Sequence, residues 1–329
     1  MTPTVPLGAF WFLYMSAIGM FFPFYALYLR ENAGLSGTEI GVVYAVIPLV
    51  SLFAPTLWGR VADRSREHAR VLTAALVGSA VGYAALGLAE GFPALLAGTA
   101  LLSASGTAVI PLGVSVSLAA LGAAGHERFG GVRVWGTVGY LLLVLAFPWL
   151  LGAVQRARGL EASPGGPSEP GLELMFVLAA ALSLAAAAAT RTIVERKEAA
   201  GGGARADWRG LLGHGPCLRM LGFAFLAYLC LQGPMNFFPA YVRSRGGGLD
   251  AVSHMWIVML LPEIPLVALS GAGIRRFGAR GLLAVGVGAG GLRWIVCALS
   301  DELFVIYPIQ MLHGVVVAGL LIGGPLYLD

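Results

Sequence analysis

Long apolar runs constrain this chain more than any other feature of its sequence. Roughly ten recur, over 7 to 29, 39 to 58, 71 to 89, 93 to 119, 133 to 152, 172 to 190, 218 to 242, 252 to 273, 282 to 299 and 303 to 327. Crossing a hydrocarbon core of about 30 Å takes about 20 apolar residues at helical rise. The runs approach or exceed that length, are rich in Gly and Ala, and lack the alternation of a barrel strand, so each predicts a transmembrane helix. A content of 58% hydrophobic and 12% charged residues excludes a soluble domain of this length. The expected class is an all-α integral membrane protein whose surroundings are the lipid bilayer.

The net charge of +4 could suggest a nucleic-acid partner, but its distribution points elsewhere. Of the 21 Lys and Arg residues, 15 lie in the even-numbered connections, around 59 to 70, 120 to 133, 191 to 219 and 274 to 281. The odd-numbered connections hold Arg30, Arg156, Arg158, Arg243 and Arg245, and Arg293 lies inside a helix. By the positive-inside rule this asymmetry places the even connections and the N-terminus in the cytoplasm of a cell with this protein in its inner membrane. It orients the chain and implies no nucleic acid. Cys217, Cys230 and Cys297 sit at or within helices without metal-ligand spacing, so neither a disulfide framework nor a metal or other cofactor is expected. No basic stretch precedes the first apolar run, which predicts that it stays as a span.

Pro48 and Pro55 predict a bend in the second helix, and Gly, Pro and Ser over 153 to 171 predict an outer loop. Residues 195–217 read as a cytoplasmic linker, because Glu195-Arg196-Lys197-Glu198 is followed by Ala199-Ala200-Gly201-Gly202-Gly203. The expected organisation is a six-helix bundle over 1–194, that linker, and a four-helix bundle over 218–329. An internal repeat supports the division. Phe237-Phe238-Pro239-Ala240-Tyr241 in helix seven echoes Phe21-Phe22-Pro23-Phe24-Tyr25 in helix one, and Gly273-Ile274-Arg275-Arg276-Phe277-Gly278 follows helix eight as Gly59 to Arg64 follows helix two. An even number of helices separates the copies, so the repeat is parallel in the membrane.

Two stretches carry a family resemblance. Gly59 to Arg70 resembles the conserved loop of the major facilitator superfamily, with Gly59, Asp63, Arg64 and Arg70 at its key positions and Ser65-Arg66 where a glycine is usual. Arg128-Phe129-Gly130-Gly131-Val132-Arg133-Val134-Trp135-Gly136-Thr137-Val138-Gly139-Tyr140 is similar to the pattern entering helix five in the branch of phenylpropionate, nucleoside and lactose proton symporters. The resemblance implies a fold of two pseudo-symmetric bundles that rock by alternating access, working as a monomer on a small-molecule substrate and protons. It implies twelve helices, of which six plus four are read here, the last two being absent from this sequence. It also implies that Asp63 helps lock one state, partly against the start of helix eleven.

Charges inside the predicted spans of the second half are Glu263, Arg293 and His313. Each costs about 3 kcal/mol or more at a helix centre when ionised, so they need one another or water. Arg293 and His313 stand in the spacing at which the resemblance implies a coupling arginine and histidine. The coupling acid it implies one turn later is Val316 here, which turns the reading to Glu263 as proton carrier with Arg293 and His313 as partners. A histidine can either hydrogen-bond the neutral acid or take the proton itself.

For substrate, the resemblance implies a role for Arg133 and for Tyr140, while the acid that would pair with Arg133 is replaced by Ser115. A cavity arginine without an acid suits a carboxylate. Tyr25, Tyr28, Tyr140 and Trp135 are candidates to face an aromatic body, and Gln232 and Asn236, four apart on one helix face, are further polar candidates. An aromatic or other organic acid is the first substrate expectation, a nucleoside or sugar the second. The rivals are a ten-helix carrier with inverted halves, a membrane-embedded enzyme and a sensor that transports nothing. The repeat after six spans opposes the first. The enzyme lacks Gly-x-Ser-x-Gly, His-Glu-x-x-His and paired intramembrane aspartates, so no enzymatic activity is expected.

Overall fold

The computed structural model describes residues 4–122, 125–160, 169–193 and 213–323. The described residues are helical apart from turns and short connections. Nine helices among them are long and apolar enough to cross a membrane, and Leu174–Thr190 is a shorter apolar helix. The chain divides into two compact units, 1–200 and 201–329. Most of the expected linker, up to residue 212, lies outside the described residues, as do 161–168 of the expected outer loop.

The first unit contains α1 (Thr4–Leu27), α2 (Gly37–Ser51), α3 (Ala54–Ser65), α4 (His68–Gly87), α5 (Gly91–Leu121), α6 (Gly125–Arg158) and α7 (Leu174–Thr190). Helices α2 and α3 form one span with the expected bend. Pro48 lies in the last turn of α2, its carbonyl accepting from the Leu52 amide at 3.2 Å, and Pro55 starts α3, where its missing N–H removes no helical bond. Ser36 and Glu39 form a reciprocal capping box at the start of α2, legible as Ser-x-x-Glu. A π-helical turn, Tyr28–Asn32, follows α1.

Lipid supplies no hydrophobic drive between helices, so close backbone approach has to hold this bundle. Helix α1 packs along α6 and α7, and α4 along α5 and α7. Glycine makes the α4–α5 and α1–α6 crossings: a Cβ on Gly82 would stand 2.5 Å from Leu102 Cα, and one on Gly19 2.6 Å from the Tyr140 carbonyl oxygen. A Cβ on Gly139 would overlap the Phe12 carbonyl oxygen. The stretch 127 to 133, expected as a connection, is helical and forms the first turns of α6.

The second unit contains α8 (Gly215–Ser244), α9 (Leu249–Leu299), α10 (Leu303–Ile309) and α11 (His313–Val317). Helix α9 holds two spans, Leu249–Leu266 and Arg275–Leu299, and its helical geometry breaks at Gly278, near the start of the second, where φ is 67°. A 3-10 turn, Gln310–Leu312, joins α10 to α11, and a π turn, Ala318–Gly323, follows. Two approaches fix α11 and its π turn against α9. A Cβ on Gly314 would lie 2.8 Å from Glu263 Cα, and one on Gly286 2.7 Å from Gly319 Cα.

Candidate functional site

The three charges expected inside the second half come together. Arg293, on the second span of α9, is fully buried. Its Nη1 donates to His313 Nδ1 at 3.1 Å, and His313 Nε2 stands 3.8 Å from Glu263 Oε2. A guanidinium can only donate, so His313 Nδ1 is an acceptor and the single proton of the neutral ring sits on Nε2, facing Glu263. The order is therefore arginine, histidine, carboxylate, with the histidine between the other two. Gly314 sets this order in place, because its lack of a side chain lets α11 reach the backbone of Glu263.

Four neutral groups complete the surroundings of Arg293, and sequence reasoning named none of them. Its Nε donates to Gln310 Oε1 at 2.6 Å, and its Nη2 to the sulfurs of Met259 and Met235 at 2.9 and 3.1 Å. Its guanidinium carbon lies 4.3 Å from the Trp294 ring centroid. Gln310 is itself held by donation to Cys297 Sγ at 3.3 Å and to the Ile306 carbonyl at 3.2 Å. In a 3-10 turn side chains three apart eclipse, which is why Gln310 and His313 reach the same guanidinium. Among the described residues no carboxylate comes within ion-pair range of Arg293.

Of the polar candidates on α8, Gln232 is exposed and Asn236 half-buried, and neither bonds to this cluster. Their neighbours Met235 and Phe238 do touch it, the latter with its ring 6.0 Å from that of Trp294. Tyr241, in the repeated motif, donates to the carbonyls of Cys297 and Ser300. The second copy of the motif thus braces the helix that carries Arg293.

In the first unit Arg133 is half-buried on α6. Its guanidinium carbon lies 4.6 Å from the Trp11 ring centroid, and its Nη2 points at Met15 Sδ 3.9 Å away. Here too no carboxylate among the described residues is in ion-pair range. A Cβ on Gly136 would meet Arg133 Nη1 at 2.6 Å, so the glycine one turn on leaves room for the arginine to fold back over Trp11. Tyr140 is buried on the same helix, its backbone against Gly19. Ser115 is exposed on α5 and Trp135 is half exposed.

Tyr25 and Tyr28 do not join Arg133. Fourteen residues of α1 separate Tyr25 from Trp11, about 21 Å at 1.5 Å per residue. Tyr25 is fully buried, its hydroxyl 2.6 Å from Thr99 Oγ1 and its ring 4.5 Å from Phe21. Tyr28 meets Phe176 edge-on at 4.8 Å. Burial and a satisfied hydroxyl make Tyr25 a brace between α1 and α5, the counterpart of Tyr241, instead of a group facing a cavity.

The loop motif spans the end of α3 and the start of α4. Asp63 Oδ1 is 3.3 Å from His68 Nε2, Arg70 pairs with Glu67, and Arg64 is exposed in the last turn of α3. Gly59 is half exposed, with open space where a Cβ would be. Arg66 caps α3 in the left-handed region at φ 54°.

Comparison with known proteins places these features in context. The model of the MFS_1-like family matches residues 5–323. The chain is similar to the maltose permease of Geobacillus stearothermophilus, 31% identical over 310 residues that cover 93% of this chain and 73% of that protein. It is 25% identical over 323 residues to the probable 3-phenylpropionic acid transporter of Escherichia coli K12, covering 92% and 76% of the two chains. Among solved structures it resembles the nucleoside transporter NupG, with a TM-score of 0.78 at 19% identity over 100% of this chain and 82% of that one. A D-xylose-proton symporter gives 0.66 at 14% identity, over 97% and 79%.

Proposed function

This chain belongs to the MFS_1-like family of the major facilitator superfamily, and from that premise we propose that it is a proton-coupled symporter of a small organic solute. The membership makes it a multi-pass membrane transporter; the coupling and the substrate are our reading. One observation carries the coupling: Arg293, His313 and Glu263 stand in a line inside the spans, with His313 Nδ1 already occupied by the arginine. A second proton on His313 would have to replace that bond and place two cations side by side. Glu263 is the remaining group in this line that can take and give a proton, and it is half-buried. Protonation of Glu263 and solute binding then alternate with exposure to the two sides of the membrane.

An aromatic or other organic acid is the substrate we favour, because two arginines, Arg133 over Trp11 and Arg293 with its neutral acceptors, have no carboxylate in ion-pair range among the described residues. Tyr140, Gln232 and Asn236 stay candidates for further contacts, as do the loop residues Gly59, Asp63, Arg64 and Arg70 for conformational locking. The similarity to a maltose permease favours a second reading, in which the solute is a sugar. Proteoliposomes separate these. A pH gradient, acid outside, should drive accumulation of aromatic acids, or of maltose under the second reading. Glu263→Gln should abolish gradient-driven accumulation and spare exchange of solute across the membrane; accumulation at the unmutated level would sink the coupling assignment.

A further inference from the structure

The net charge of the buried cluster is tied to Glu263. Every acceptor of Arg293 is uncharged: Gln310 Oε1, His313 Nδ1 and the sulfurs of Met235 and Met259. From α8 the cluster is faced by Met235 and Phe238, from α9 by Met259, Trp294 and the thiol of Cys297, and from the turn into α11 by Gln310 and His313. Glu263 is the one carboxylate among these described neighbours, and it touches the cluster through His313. With Glu263 ionised the group is neutral overall. With a proton on Glu263 it holds a full, buried positive charge, in a medium where a stray ion costs about 3 kcal/mol or more.

We propose that the solute supplies the missing negative charge: Arg293 is an anion-binding site that takes the carboxylate of a small monocarboxylic acid when Glu263 is protonated. One proton adds to the Glu263 carboxylate and one monoanion pairs with Arg293, so the loaded cluster is again neutral. Neither passenger is stable there alone, which makes the coupling obligatory. The seat is occupied by weak substitutes. Thioethers are poor acceptors, while a carboxylate accepts charge-assisted bonds about twice as strong as neutral ones. Methionine has three rotatable bonds, so Met235 and Met259 can swing aside from Nη2. Gln310 and His313 keep Nε and Nη1 and hold the guanidinium plane still while Nη2 changes partner.

This inference rests on proton coupling and deepens it by placing the solute's carboxylate on Arg293. Its test uses the purified chain in detergent, with sodium benzoate and sodium acetate as probes, tryptophan fluorescence for binding and a pH indicator in weak buffer for proton uptake. Benzoate should bind with uptake of about one proton, its affinity rising about tenfold per unit fall in pH while Glu263 is ionised in the free protein. Glu263→Gln should bind benzoate with little pH dependence and no proton uptake, because its side chain imitates the protonated acid. Arg293→Gln should lose carboxylate binding. Benzoate binding without proton uptake in the unmutated protein would overturn the inference, as would a steep pH dependence kept by Glu263→Gln. So would a folded protein that binds neither carboxylate. Gradient-driven uptake of maltose by that same protein would then leave proton symport standing and remove only the anion site.

Discussion

Arg66 adopts a backbone conformation that suits another residue. It holds φ 54° at the end of α3, where its amide reaches the Ala62 carbonyl and reverses the chain toward α4. A side chain in that region costs about 1–2 kcal/mol, and glycine is the usual residue there. The family resemblance had already marked Ser65-Arg66 as lacking the customary glycine. Arg66→Gly should relieve that penalty while adding about 0.5–1 kcal/mol of freedom to the unfolded chain. The expected result is a stabilisation of about 0.5–1 kcal/mol, read as a higher midpoint of thermal unfolding in detergent; an unchanged or lower midpoint would show that Arg66 is not strained. The same scale explains what the sequence disclosed of the site. Glu263, Arg293 and His313 were legible because a charge in an apolar run needs a reason. Gln310, Met235, Met259 and Trp294 were not, because neutral residues raise no such question. A signal for Gln310 existed in its position three residues before His313, one turn away on the same face.

Helix crossings depend on what glycine leaves out. The stretch 128 to 140, read from sequence as a family pattern, is physically the seam between α6 and α1. Gly136 makes room for Arg133, Gly139 meets the Phe12 carbonyl, and Gly19 on α1 meets Tyr140. A methyl at Gly139 would meet the Phe12 backbone carbonyl, which cannot turn aside as the nearby Ser16 hydroxyl can, so the helices must separate. Overpacking of this kind costs about 1–3 kcal/mol. Gly139→Ala should therefore lower the unfolding midpoint and weaken transport by lifting Arg133 from Trp11. Gly130→Ala, with open space around its Cβ and an exposed position, should leave the midpoint unchanged or slightly raised. Equal effects at the two positions would contradict the close crossing. Helix number and order were legible at this scale, because length and hydropathy report directly on a bilayer. Ends were less so: α6 begins well before its apolar run and α9 continues through Arg275 and Arg276 to Gly278, since hydropathy marks where lipid stops and helices continue into water.

The molecule as a whole is ordered by a repeat and by charge. Tyr25 and Tyr241, at corresponding places in the repeated motif, both brace the first helix of their unit against a later one. The repeat was legible as five letters; that its tyrosines bind helices together became visible only with their partners. Charge orients what the repeat builds. With Leu174–Thr190 counted among them, alternating the spans puts Arg60, Arg64, Arg66, Arg70, Arg128, Arg191, Arg219, Arg275, Arg276 and Arg280 at one side of the membrane and Arg30, Arg156, Arg158, Arg243 and Arg245 at the other. The richer side should be cytoplasmic. Ser65 and Arg158 are exposed at opposite ends of an odd number of spans, His68–Gly87, Gly91–Leu121 and Arg128–Arg158, so they must face opposite sides. In a background with Cys217 and Cys230 replaced by serine, Arg158→Cys should react with a membrane-impermeant maleimide in intact cells. Ser65→Cys should react only after the membrane is opened. The reverse pattern would invert the orientation and with it the direction in which a pH gradient loads Glu263. Labelling of both from one side would break the span order itself, on which the repeat and the placement of Arg293 among membrane helices both depend.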